Sequence, residues 1–101
     1  MELKAYQAYR NPELDIRYWR TSTGFEVDFI LGEIDAAIEI KGSHRIHSAH
    51  IRGLKALLEE HTVKRAVIIS LEEQPRTVDS HIEVLPWKVF LEKLWSGELG
   101  V

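Results

Sequence analysis

The chain contains no cysteine. Neither a disulfide framework nor a thiolate zinc site can be built from it, and the absence fits a reducing cytoplasm. It has no apolar run long enough to span a bilayer. Its N-terminus, MELKAYQAYR, lacks the apolar region of a signal peptide and carries Glu2. A cytoplasmic protein without a membrane partner is expected. A strong excess of either charge is also missing: 13 Lys and Arg stand against 16 Asp and Glu, for a net charge of -3. That balance excludes indiscriminate nucleic-acid binding through bulk charge. No internal repeat, low-complexity tract or linker divides the 101 residues, a length that suits one domain.

What is present is unevenly placed. From Lys41 to Leu58 there is no Asp or Glu, while Lys41, Arg45, Arg52 and Lys55 are joined by His44, His47 and His50. Acids gather before this segment, from Glu26 to Glu39, and after it at Glu59–Glu60 and Glu72–Glu73. A locally basic stretch therefore begins where a carboxylate cluster ends.

Periodicity gives the elements. Leu3, Tyr6 and Tyr9 have helical spacing, and Asn11-Pro12 ends that helix. LDIRYWRT, FEVDFIL and AAIEIK alternate and are rich in β-formers, separated by turns at residues 21–24 and 32–35. They read as an antiparallel meander. Ser48 is expected to cap a helix over residues 49–61, with Ile51, Leu54, Leu57 and Leu58 on one side. VKRAVIISL is a strand buried on both faces. HIEVL is a short further strand, and Pro86 opens a last helix ending near Gly97. The order α-β-β-β-α-β-(β)-α describes an α/β protein with a mixed sheet covered by helices.

The stretch GFEVDFILGEIDAAIEIK poses a chemical question. Successive strand residues face opposite ways, so Glu26 and Asp28 share one face with Glu39 and Lys41 if Gly32 opposes Asp35. Asp28 then sits across from Glu39, and Glu26 across from Lys41. Like charges placed directly opposite are unfavourable. A bridging divalent cation would explain the pair, because Mg²⁺ takes one or two carboxylates and completes its shell with water or phosphate. Lys41 could then position a water or stabilise charge developing on phosphorus. A solvated sheet face, with Glu26 paired to Lys41, accounts for the same spacing.

The combination of GFEVDF with IEIK resembles the PD-(D/E)XK nuclease superfamily, which has the restriction-endonuclease-like fold. More narrowly, YWRTSTGFEVDFIL, AAIEIKGS, IRGLKAL, VKRAVIISLE and IEVLPWKVFLEKLWSGEL resemble, in order, a C-terminal domain of unknown function carried by prokaryotic AAA-type ATPases. The resemblance implies a single PD-(D/E)XK-like domain over residues 1–101, a restriction-endonuclease-like core and Mg²⁺- or Mn²⁺-dependent hydrolysis of nucleic acid, DNA in particular. It assigns Asp28 and Glu39 to metal binding and catalysis, Lys41 to catalysis, the Ile40 carbonyl to the metal, and Glu2 to the role of a first-helix ligand. Glu26 has no definite role in it. No G-x-x-x-x-G-K-S/T sequence occurs, so no nucleotide site is expected here. The ATPase domain becomes a partner in a longer parent chain, of which these residues form a fragment. A first helix shorter than the family's would expose apolar sheet and favour a homodimer. The same resemblance allows a catalytically silent module that binds DNA or protein.

Three further features compete for roles. His44, His47 and His50 have H-x-x-H-x-x-H spacing, readable as a zinc site or as a polar loop. Arg45, Arg52 and Lys55 are candidate phosphate contacts or members of a solvated helix face. Trp87 and Trp95 fit a buried helix face better than a base-stacking platform.

Overall fold

The computed structural model describes residues 2–22, 24–33, 35–79 and 81–99, with the Glu2 side chain outside the described part. The elements run α1 (Glu2–Arg10), β1 (Ile16–Arg20), β2 (Glu26–Leu31), β3 (Ala36–Ile40), a 3-10 turn (Ser48–Ile51), α2 (Arg52–Glu60), β4 (Arg65–Ser70), β5 (Arg76–Val78), β6 (Ile82–Pro86) and α3 (Trp87–Ser96). Six strands form one mixed sheet in the order β1-β2-β3-β4-β6-β5. β1, β2 and β3 are the antiparallel meander expected from the sequence. β3–β4 and β4–β6 pair in parallel, and β5 closes the edge antiparallel to β6. Among the described residues no helix is long and apolar enough to cross a membrane.

Two cores sandwich the sheet. On one face Leu3 and Tyr6 of α1 and Phe90 and Leu94 of α3 cover Leu31, Ile38, Val67 and Leu85. On the other, Leu54 and Leu57 of α2 cover Ile30, Ala37, Ile68 and Val84. Burying each such Leu contributes roughly 1.5–3 kcal/mol. β4 sends Val67 to the first core and Ala66 and Ile68 to the second, as its unbroken apolar run requires. Tyr6 meets Trp95 edge-on at 5.2 Å, whereas Tyr9 points to solvent.

Three local expectations are corrected. Ser48 does not cap α2: it opens the 3-10 turn, and His47 stands before it, its N–H donating to His50 Nδ1 at 3.1 Å. The polar segment before β6 contains the edge strand β5, which has too few apolar residues to show a period. Trp87 is about half exposed, with the Lys88 ammonium 5.6 Å from its ring, so only Trp95 of the pair is packed. α3 ends as foreseen. Gly97 takes φ 84°, and the N–H groups of Gly97 and Glu98 donate to the carbonyls of Leu94 and Lys93.

Candidate functional site

The site begins with an irregularity in β2. Arg17 of β1 faces Ile30, but Trp19 faces Val27, so β2 advances three residues where β1 advances two. This bulge falls at Asp28–Phe29 and breaks the alternation there. Val27 consequently joins Ile30 and Ala37 under α2, rather than Phe29 and Leu31 as strict alternation predicts.

The β2–β3 register is the expected one, but its ladder ends at Phe29–Ile38. Continued regularly, Ile40 would pair with Val27. Instead the Ile40 N–H donates to Asp28 Oδ2 at 2.8 Å, so the aspartate side chain takes the place of a main-chain acceptor. Strand geometry turns the N–H and C=O of one residue toward the same neighbour. The Ile40 carbonyl therefore lies on the Asp28 side, while the next N–H, of Lys41, is committed to Ile69 at 2.9 Å on the other side.

Glu39 lies next to this frayed end and is only 4 % exposed. Its carboxyl lies within hydrogen-bonding reach of the Asp28 carboxyl. Burial, hydrogen bonding with Asp28 and the Asp28 charge push its pKa up to about 8, against a smaller opposing pull from Lys41. The roof over Glu39 is the first turn of α2. A Cβ on Gly53 would collide with the Glu26 carbonyl oxygen and stand 3.1 Å from Glu39 Oε2, so only glycine lets the helix come this close.

Asp28, Glu39, Ile40 and Lys41 line one cleft of about 480 Å³, together with Phe25, Glu26, His50, Arg52 and Gly53. Among the described residues neither Glu26 nor Lys41 forms an ion pair, so the mutual pairing that a solvated face would give them is absent. The donor set fits a hard divalent cation: two adjacent carboxylates and a nearby main-chain carbonyl, with open cleft for water and phosphate. Among the described residues there is no group of three His, Asp or Glu side chains that could hold a metal by themselves. Such an ion would depend on the Ile40 carbonyl, water and substrate. The Glu2 side chain, the expected first-helix ligand, lies outside the described residues.

The remaining candidates separate. Arg52 reaches the cleft, and Lys55 lines an adjoining one while paired with Asp79 at 3.3 Å. Arg45 instead acts electrostatically on Glu72. The His47 and His50 rings lie 4.0 Å apart, while His44 is exposed, so the triad forms no metal site among the described residues. His50 stays neutral more readily than a free imidazole, through burial and the nearby His47 and Lys41.

Sequence reasoning missed Gly53 and Phe25 as site residues, and read His50 as part of a zinc site or a polar loop rather than as a lining of the carboxylate cleft. It also missed the clamp that fixes the loop after β3. Glu72 accepts from the Ile46 N–H at 2.6 Å and from Arg76 Nε at 2.8 Å, and Arg76 Nη2 donates to the Ile46 carbonyl at 2.7 Å. Chiefly through the Arg76 hydrogen bond, the Glu72 carboxyl is held down near pKa 2. A glycine in a helix-period segment was the available signal for Gly53. The clamp joins residues far apart in sequence and left none.

No curated protein and no solved structure matches the chain. The family model described as Domain of unknown function (DUF4143) matches residues 1–90, and the chain belongs to that family.

Proposed function

We propose that this domain is a divalent-metal-dependent phosphodiesterase of the PD-(D/E)XK type acting on nucleic acid, DNA in particular, as a module attached to an AAA-type ATPase. The observation that carries the reading is the Asp28–Glu39 carboxylate pair, held at a frayed strand end inside an open cleft with Lys41. Burying the Glu39 carboxyl against a second carboxyl is costly unless a proton or a cation neutralises one of them.

Asp28, Glu39 and the Ile40 carbonyl would hold Mg²⁺ or Mn²⁺, which supplies an acidified water and screens charge on the phosphate. Asp28 keeps its orientation through the Ile40 N–H. Lys41 sits beside Glu39, where its ammonium can hold the attacking water and offset negative charge building on the phosphoryl oxygens. Water oxygen bonds to phosphorus as the ester P–O bond breaks; the proton lost by water passes to solvent, and the departing ester oxygen takes one up from solvent to leave as an alcohol. Arg52, in the same cleft, supplies a cation for the neighbouring phosphate.

A second reading rests on the same pair without a metal. A proton on Glu39, whose pKa is raised to about 8, relieves the repulsion from Asp28 without metal, as expected of a silent DNA- or protein-binding module. Mn²⁺ calorimetry on the native chain and Asp28→Asn decides between them. Saturable binding abolished by the substitution, followed by Mn²⁺-dependent cleavage of DNA, supports the nuclease. Nucleic-acid binding without either supports the silent module.

A further inference from the structure

Phe25 is an apolar ring that neither core uses. It is 39 % exposed and belongs to neither buried cluster. Its backbone is nevertheless firmly held. Its N–H donates to Thr21 Oγ1 at 3.2 Å, and its carbonyl accepts from the Thr21 N–H at 2.9 Å, closing the hairpin just before β2. A large exposed ring on a fixed backbone loses little conformational freedom when something packs against it.

Its position gives that ring a use. The carboxylate cleft and a second cleft of about 450 Å³ both include Phe25 and Arg52 in their walls, so the two meet at this pair. The second cleft continues past Ser48 toward Lys55. Arg52 forms no ion pair among the described residues, and the Lys55–Asp79 pair is half exposed on both sides. A solvent-screened pair of this kind is readily exchanged for a phosphate. Three residues of extended chain, roughly 10 Å, separate Phe25 from Asp28. An exposed ring beside available cations, at that distance from the carboxylates, matches the chemistry of an unpaired nucleotide: a π-face to stack and a phosphate to pair.

We propose that Phe25 is a stacking platform for an unpaired nucleobase, with Arg52 and Lys55 on its phosphates, so that the site prefers single-stranded nucleic acid. The inference rests on the nuclease-type reading of the carboxylate cleft. Duplex bases are already stacked on one another and offer Phe25 no free face. Phe25 therefore positions substrate and takes no part in bond breaking.

The test uses a fluorescein-labelled oligothymidylate of about 12 nucleotides, within the range single-strand sites cover. Its binding is followed by anisotropy in Ca²⁺. Phe25→Ala should weaken binding by about 5- to 100-fold, and Phe25→Trp should retain it. An abasic oligomer should bind the native chain as poorly as oligothymidylate binds Phe25→Ala, and duplex binding should be unmoved by the substitution. Equal oligothymidylate binding by native chain and Phe25→Ala, with Arg52→Ala impaired, overturns the platform while leaving the nuclease reading intact. Equal loss in Phe25→Trp and Phe25→Ala also overturns it. If the folded native chain binds neither strand form, both readings fall together.

Discussion

Glu39→Gln isolates the energetic consequence of burying the Glu39 carboxyl beside Asp28. An acid whose folded pKa is raised adds stability that is complete below its unfolded value. For Glu39 that stability drains away as pH climbs from 4.5 to about 8. Those 3.5 units, at about 1.36 kcal/mol each, set a ceiling of about 5 kcal/mol. A loss of that size is a large share of the ~5–15 kcal/mol that holds a small domain together. Glutamine has nearly the same shape, can still donate to Asp28 and does not titrate. Urea unfolding in EDTA at pH 4.5, 6, 7 and 8.5 measures the effect. Native stability should fall across this range, and the gap between Glu39→Gln and native should shift by several kcal/mol in favour of the variant. Parallel pH curves for the two proteins would refute the reasoning, because the carboxyl would then be as solvated folded as unfolded.

Other outcomes follow from the same geometry. Mn²⁺ binding at pH 7 should release close to one proton, since a carboxyl with pKa about 8 is mostly protonated there. Calorimetry in buffers of different ionisation enthalpy reads that proton, and apparent affinity should climb about tenfold per pH unit up to pH 8. Gly53→Ala should cost about 3 kcal/mol in thermal or urea unfolding and abolish Mn²⁺ binding, because its methyl group occupies the place of the Glu26 carbonyl. Arg76→Ala should cost about 1–3 kcal/mol at pH 7 by leaving Glu72 with an unmatched charge. The contribution of Glu72 is present above pH 4.5 and lost as pH falls toward 2, so native chain and Arg76→Ala should converge in stability there.

The sequence revealed most where one physical rule acted alone. Period-two alternation and a tight turn set the β2–β3 register, which brought Asp28 beside Glu39. The continuous apolar run of β4 announced a strand buried on both faces. Rules failed where local preference met packing. The bulge at Asp28–Phe29 moved Val27 to the other core, a change no alternation count can register. The loop clamp of Glu72, Arg76 and Ile46 depends on folding the chain back over 30 residues. Phe25 looked like one more strand hydrophobe, and only its exposure in the folded state separates it from Val27.

The bare contact of α2 with β2 at Gly53 also governs what can change in the cleft. Most protein walls are upholstered with side chains, and their separation drifts as those side chains are exchanged. Here backbone rests on backbone, so the gauge between the carboxylates and the helix is a fixed dimension. Substitutions at Phe25, His50 or Arg52 can redecorate the rim and alter what is admitted. None of them can widen or narrow the gap itself, which makes this corner a rigid jig on which different specificities can be mounted.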